Sequence, residues 1–227
     1  MKFQDFERIM TPARMSRYQT ACAGNSKRAM TLYRKNLELS QELFTVISCF
    51  EIALRNAIDK QLHYTLGNDW LRNGAMEGGI FDNPNCRLTK FNINEVVHKL
   101  NHLYTHNKLV AELGFGFWRY MFAPNQYTAT GKTLLQIFPA KPPSTAAFQY
   151  NQSFVFNQLV QINNLRNRIA HHEPICFIPG QPIKETTYAR QHYNLILQLF
   201  QWMDIDEGKF LYGIDHINTV CNQIDAL

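Results

Sequence analysis

Residues 161–175 read QINNLRNRIAHHEPI, a segment that predicts the end of a helix with an unusually polar surface. It holds two arginines, three asparagines and two adjacent histidines, and Pro174 lies near its end. Because proline has no backbone N–H, it terminates the helical pattern. Charged and amide side chains are mostly exposed in folded proteins, and a hydrophobic core does not require them at this density. The segment therefore predicts a helix that presents a functional site at its C-terminal end.

The side chains of this segment have the chemistry that a phosphodiester requires. Arginine carries a flat, permanently charged guanidinium that matches phosphate oxygens, and histidine exchanges protons near neutral pH. On a helix, Asn167 and His171 are four residues apart and share one face, and Arg168 and His172 form a second such pair on a neighbouring face. Arg166 lies about 140° from His171 around the helix axis, so its charge reaches the same point only through its long side chain.

The run LRNRIAHHEPI at residues 165–175 resembles the R-x4-6-H signature of the HEPN superfamily. The chain also resembles the Abi-like (abortive infection) proteins of bacteria, which carry an early F-E-x-A-L-R-N helix, here residues 50–56. A middle G-F-W block follows at residues 116–118, and the family's closing L-R-N-x-I-A-H-H-E-P-I matches the segment above. The three blocks occur in the family's order, and the resemblance covers residues 13–202.

This resemblance implies an all-α, HEPN-like helical bundle with additional helices and a metal-independent endoribonuclease activity that needs no cofactor. It implies RNA as the substrate and a homodimer in which two motifs face each other across a shared cleft. The biological role would be that of a cytoplasmic bacterial toxin that halts translation upon phage infection, with an antitoxin or regulatory RNA as a further partner. The superfamily also contains non-catalytic members, so the alternative is a helical RNA-binding or scaffolding protein.

Metal-free RNA cleavage requires a base for the ribose 2′-OH and a cation at the phosphate. By this logic His171 is the base, Arg166 the phosphate clamp and Asn167 the positioning residue. His172 is the alternative base, since the family pattern permits one more residue of spacing, or it caps the helix C-terminus, where a cation is favoured. Glu173 orients one of the histidines or faces solvent.

An earlier segment repeats part of the motif. Residues 54–58 read LRNAI, and residues 165–169 read LRNRI. One interpretation places Arg55 and Asn56 beside the later motif in the same phosphate-binding cleft, together with Arg168. The other is coincidence, with Arg55 in an ordinary surface ion pair with Glu51, four residues earlier on the helix.

A second group of candidate ligands lies in the middle of the chain. His98, His102 and His106 are each four residues apart, so a continuous helix over residues 89–105 and beyond would place them on one face. Two histidines at this spacing are a known zinc-binding arrangement. No carboxylate or thiol obviously completes the set, so a metal-dependent hydrolase is the weaker of the enzymatic hypotheses.

Composition and charge set the broad class. The chain has 227 residues, enough for one all-helical domain with a sizeable core. Residues 1–190 hold 22 of the 23 basic side chains and 13 of the 18 acidic ones, a net +9, whereas residues 191–227 hold one basic and five acidic. A basic body with an acidic tail suits a polyanionic partner. The five cysteines are scattered and odd in number, which favours reduced thiols in a cytosolic protein. No apolar run approaches the length that a membrane-spanning helix requires.

Periodicity predicts helices throughout and no strands. Thr11 and Pro12 open a helix in the preferred order of cap and proline. A long helix follows over about residues 27–65, because apolar residues recur at threes and fours and no glycine or proline interrupts them. The remaining predictions are an N-terminal helical extension (1–25), a glycine-rich loop (67–88), an aromatic core segment (109–122), a helix capped by Ser144 that leads to the central motif, a helix over 185–203 and an acidic C-terminal helix (205–227).

Overall fold

The computed structural model describes every residue from Met1 to Leu227, and the predicted all-α fold is confirmed. A single isolated antiparallel bridge between Phe177 and Lys184 is the sole β-type pairing, and there are no strands. The twelve α-helices, numbered in chain order, are α1 (Phe3–Met10), α2 (Pro12–Ala21), α3 (Ser26–Leu66), α4 (Trp70–Ala75), α5 (Arg87–Leu100), α6 (His106–Glu112), α7 (Phe115–Tyr120), α8 (Pro124–Ala129), α9 (Gln152–Ala170), α10 (Thr187–Trp202), α11 (Glu207–Phe210) and α12 (Ile217–Asp225).

The helices form two compact units. The first unit comprises residues 1–48, 164–198 and 207–227, and the second comprises residues 49–163 and 199–206. Helices α3, α9 and α10 each contribute residues to both units. The central motif, residues 165–175, belongs to the first unit.

The N-terminal helices of the first unit follow the predicted signals. Thr11 Oγ1 accepts a hydrogen bond from the Arg14 backbone N–H at 3.4 Å, and Pro12 occupies the first helical position of α2. The buried ring of Tyr18 on α2 contacts Tyr33 on α3 and Phe177, with both pairs of ring centroids 5.1 Å apart. These edge-to-face contacts join α2, α3 and the segment that follows α9 into one core.

Helix α3 runs from Ser26 to Leu66, one residue beyond each predicted end. Asn25 Oδ1 accepts a hydrogen bond from the Arg28 backbone N–H at 3.0 Å and so caps the helix. Leu37 and Phe44, two of the apolar residues that recur at helical spacing along α3, are 42% and 43% exposed. The buried stripe of α3 includes positions 39, 43, 46 and 50.

The second unit contains the glycine-rich region, which is more ordered than predicted. Helix α4 and a 3₁₀ turn, Pro84–Cys86, lie within residues 67–88. A Cβ placed on Gly79 would come within 2.4 Å of the Asn73 carbonyl oxygen, so the glycine permits a close backbone approach. The aromatic segment is core as predicted, since Phe115, Trp118 and Phe122 are buried and Trp118 Nε1 donates to the Leu113 carbonyl at 2.7 Å.

Two predicted helix boundaries are wrong. Helix α9 begins at Gln152, where Asn151 Oδ1 accepts from the Phe154 backbone N–H at 3.0 Å, whereas Ser144 Oγ accepts from the Tyr150 backbone N–H within the preceding loop. The C-terminal region contains two short helices, α11 and α12, rather than one. Helix α10 matches its prediction to within two residues at each end. All five cysteines are free thiols, and no helix is long and apolar enough to cross a bilayer.

Candidate functional site

The central motif occupies the last turns of α9 and the turn that closes it. The His171 backbone N–H donates to the Asn167 carbonyl at 2.9 Å, and the Glu173 backbone N–H donates to the Arg168 carbonyl at 2.8 Å. His172 has φ of 55°, the left-handed conformation that usually follows a helix end. Its backbone thereby satisfies the terminal carbonyl groups, while the side chains of His171 and His172 are exposed.

Three side chains of the motif are not used by the fold. Arg166 and Asn167 are partly buried and His171 is exposed. None of the three side chains makes a hydrogen bond or an ion pair within the chain. Folded proteins generally pair their polar groups where they are not solvated. These groups are therefore left available to a ligand.

Arg168, the neighbour of these residues, has a structural role. Its Nη2 donates to the Pro174 carbonyl at 2.9 Å, and its Nε lies 3.2 Å from Glu173 Oε2. Its guanidinium also stacks on Tyr188, 4.8 Å from the ring centroid. Arg168 thus holds the closing turn, and the carboxylate of Glu173 pairs with it rather than with either histidine.

Two arginines of α2 contact the closing turn of the motif and the segment that follows it. Arg14 Nη1 donates to the His172 carbonyl at 2.9 Å. Arg17 Nε donates to the Gln181 carbonyl at 3.0 Å, and its guanidinium lies 4.6 Å from the centroid of the Phe177 ring. Because these contacts span more than 150 residues of sequence, local spacing does not encode them.

A buried hydrogen bond fixes the end of the motif against α3. Asn36 is 3% exposed, and its Oδ1 accepts from the Ile175 backbone N–H at 2.9 Å. Ile175 is itself fully buried. This bond anchors the segment four residues after His171, and no feature of the sequence predicted it.

An open cavity of about 410 Å³ lies beside the motif in the first unit. Its arginine, histidine and carboxylate lining side chains are Arg14, Arg17, His171, His172 and Glu173. The single carboxylate is already paired with an arginine, so the cavity favours an anion. Arg166 and Asn167 are not among the lining residues. The cavity therefore brings together the two predicted histidines and Glu173, but not the complete predicted set.

The repeated motif of α3 lies in the second unit. Arg55 Nη1 donates to the Ala111 carbonyl at 3.4 Å, and its buried Nε has no hydrogen-bond partner. Asn56 is exposed. These contacts assign Arg55 to the packing of α3 and α6 within that unit. Its proposed place in a shared phosphate cleft stays a prediction.

The predicted row of three histidines does not form, because α5 ends at Leu100 and Asn101 adopts φ of 46°. His106 begins α6, and its Nε2 lies 2.7 Å from Asp59 Oδ1 while its Nδ1 lies 3.4 Å from Asp69 Oδ1. The hydrogen bond that His106 donates to Asp59 raises the pKa of His106 above its usual value despite the opposing effect of burial. His106 is a partly buried ion-pair partner, and no group of three or more histidine, cysteine or carboxylate side chains has a metal-binding arrangement.

Comparison of the chain with protein-family models, with curated proteins and with solved structures finds no match. Unpaired arginine, asparagine and histidine side chains at a solvent-facing helix end can bind an oxyanion and exchange a proton with it.

Proposed function

We propose that the chain is a metal-independent endoribonuclease of the HEPN type. Arg166 binds the scissile phosphate, His171 accepts the proton of the ribose 2′-OH and Asn167 positions the reacting groups. The observation that carries this proposal is that some polar side chains of this region are bonded within the fold and others are not. Arg14, Arg17 and Arg168 donate hydrogen bonds to main-chain carbonyls, whereas the three proposed active-site side chains have no partner in the chain.

The reaction follows from these groups. As His171 removes the 2′ proton, the 2′ oxygen attacks the phosphorus and the 5′ oxygen of the next nucleotide leaves with a proton. The products are a 2′,3′-cyclic phosphate and a 5′-OH. A positioned base contributes about 10²–10⁴ in rate, and the guanidinium of Arg166 stabilises the charge that develops on the non-bridging oxygens. Because DNA lacks the attacking hydroxyl, it is not a substrate.

A homodimer would supply the group that one motif lacks. A single motif offers one base, and protonation of the leaving oxygen requires an acid. The exposed side chains of Leu37 and Phe44 lie seven residues apart on one face of α3. Leu37 also lines a cavity of about 470 Å³ together with His172 and Arg14. A second copy that covered this face would therefore lie next to the motif, so that histidines of both copies could act on one phosphate.

The second candidate is a helical protein of the same fold that binds RNA or a scaffold partner without cleaving it. One observation favours it: no carboxylate, carbonyl or hydroxyl contacts the imidazole of His171, so nothing within the chain fixes its tautomer. A catalytic histidine is usually oriented by such a group. A toxin role in phage defence, with an antitoxin or regulatory RNA as partner and a bacterial cytoplasmic location, rests on the family resemblance.

Cleavage and binding by purified protein without added metal distinguish the two candidates. We expect His171→Ala to lower the cleavage rate by about 10²-fold or more while RNA affinity, measured by fluorescence anisotropy, stays within about twofold. His102→Ala is the matched control, since His102 is also exposed and unpaired but lies in the second unit. Cleavage that survives both His171→Ala and Arg166→Ala would eliminate the nuclease proposal. RNA binding by a wild-type protein that cleaves nothing would favour the second candidate.

A further inference from the structure

A third cavity, of about 630 Å³, opens on the surface of the second unit. Residues from the beginning of α5, from α7 and from α8 line it, and none of the lining residues is acidic. Its volume falls in the range of about 300–1,000 Å³ that small-molecule sites occupy. The lining combines two arginines, four side-chain amides and an exposed aromatic ring, namely Arg87, Arg119, Asn85, Asn92, Asn125, Gln126 and Tyr120.

Arg119 is held in this cavity without an anionic partner. Its guanidinium lies 4.7 Å from the centroid of the Tyr120 ring and 5.6 Å from that of Phe156. It makes no hydrogen bond or ion pair in the chain, and its Nε is buried without a partner. A guanidinium that aromatic rings fix in place, with an unsatisfied N–H, is preorganised for an oxyanion. Arg87, exposed at the edge of the same cavity, adds a second positive charge.

The rest of the cavity suits a planar ring with polar edges. Tyr120 is 46% exposed and packs edge-to-face with Phe156 at 6.0 Å, so the exposed part of its ring can contact a planar base beside the guanidinium of Arg119. Gln126 is buried, and its Nε2 donates to Thr89 Oγ1 at 3.0 Å, which fixes the orientation of its carboxamide. The amides of Asn92 and Asn125 are exposed and can exchange hydrogen bonds with base edges.

We propose that this cavity binds a nucleoside phosphate, with Arg119 and Arg87 on the phosphate and Tyr120 stacked on the base. The same chemistry is present in a free mononucleotide and in one nucleotide of an RNA chain. All residues of the site belong to the second unit, so the proposed nucleotide binding does not depend on the proposed nuclease motif of the first unit.

Isothermal titration of the full chain with each ribonucleoside 5′-monophosphate, adenosine, inorganic phosphate and a short RNA oligonucleotide tests this site. The RNA titrations use the His171→Ala background, so that cleavage does not interfere. We expect at least one monophosphate or the oligonucleotide to bind more tightly than adenosine or phosphate. Arg119→Ala should weaken that binding by about tenfold or more, and Tyr120→Ala by about fivefold or more.

Arg72→Ala is the matched control, because Arg72 stacks on Tyr104 at 4.9 Å in the same unit but lies outside the cavity. It should leave the affinity unchanged. Binding of monophosphates identifies the free nucleotide as the ligand, and binding of the oligonucleotide alone identifies RNA. The proposal is overturned if neither binds, if phosphate binds as tightly as the nucleotides, or if Arg119→Ala and Tyr120→Ala both bind like the wild type.

Discussion

The hydrogen bond between Asn36 and the backbone of Ile175 gives a sharp prediction about how the motif is held. Both residues are essentially inaccessible to solvent, so water cannot replace the acceptor that Asn36→Ala removes. An unsatisfied buried N–H costs about 1–3 kcal/mol. Lost packing around the truncated side chain adds to this, and we expect the free energy of unfolding to fall by about 2–3 kcal/mol.

The measurement is urea unfolding followed by circular dichroism. Ser40→Ala is the matched control on the next turn of α3, because Ser40 Oγ bonds to the Asn36 carbonyl of its own helix and its removal leaves no buried donor unpaired. The control should change the free energy of unfolding by less than about 0.5 kcal/mol. If Asn36→Ala is no more destabilising than Ser40→Ala, the segment after His171 is not anchored as described.

Three further predictions concern charge, stacking and association. Because the folded-state pKa of His106 is raised, its ion pair stabilises the fold fully below about pH 6.5, and this contribution is lost as the pH rises through the raised pKa. Urea titrations across this pH range should show the free energy of unfolding decreasing. His106→Gln should abolish this pH-dependent decrease. Arg168→Ala should lower the free energy of unfolding by about 1–3 kcal/mol, since it removes a hydrogen bond, an ion pair and a stacking contact, whereas Arg166→Ala should change it by less than about 0.5 kcal/mol. The double variant Leu37→Glu/Phe44→Glu should sediment as a monomer and cleave RNA at least about tenfold more slowly, because a charge buried at an interface is costly.

Each of these has its own control. His216→Gln, which removes an exposed histidine beside Glu42, is the matched variant for His106→Gln. Tyr212→Glu places a charge on a residue that is 88% exposed and should not alter sedimentation. A stable dimer of the α3 double variant, or equal destabilisation by Arg166→Ala and Arg168→Ala, would contradict the corresponding assignment.

The features that the sequence predicted correctly are local ones. Helix α3 follows from an uninterrupted apolar period, and α2 follows from the order of threonine cap and proline. Predictions failed where a single backbone conformation decided the outcome. Periodicity continues through residue 105, but Asn101 adopts a positive φ of 46° and α5 ends at Leu100. The loop over 67–88 contains a helix because burial of Trp70 and Leu71 outweighs its glycine content.

In the candidate site, too, the sequence predicts the local features and misses those that depend on tertiary contacts. The sequence places Arg166, Asn167 and His171 on one helix end, since their positions depend on helix geometry alone. It does not reveal that Arg14 reaches His172 or that Asn36 binds Ile175, because these contacts join residues 158 and 139 positions apart. Spacing in the sequence also does not distinguish an arginine that bonds to main-chain carbonyls from one that has no partner in the chain. That difference depends on carbonyl groups that the tertiary fold brings within reach.

Identification of the ends of the cleaved RNA tests the central claim most directly. Mass spectrometry of products formed in the presence of a chelator should show a 2′,3′-cyclic phosphate and a 5′-OH, and an RNA with 2′-deoxyribose at the scissile nucleotide should resist cleavage. Products with a 3′-OH and a 5′-phosphate, or equal cleavage of the deoxy-substituted strand, would contradict the proposal that His171 activates the 2′ oxygen.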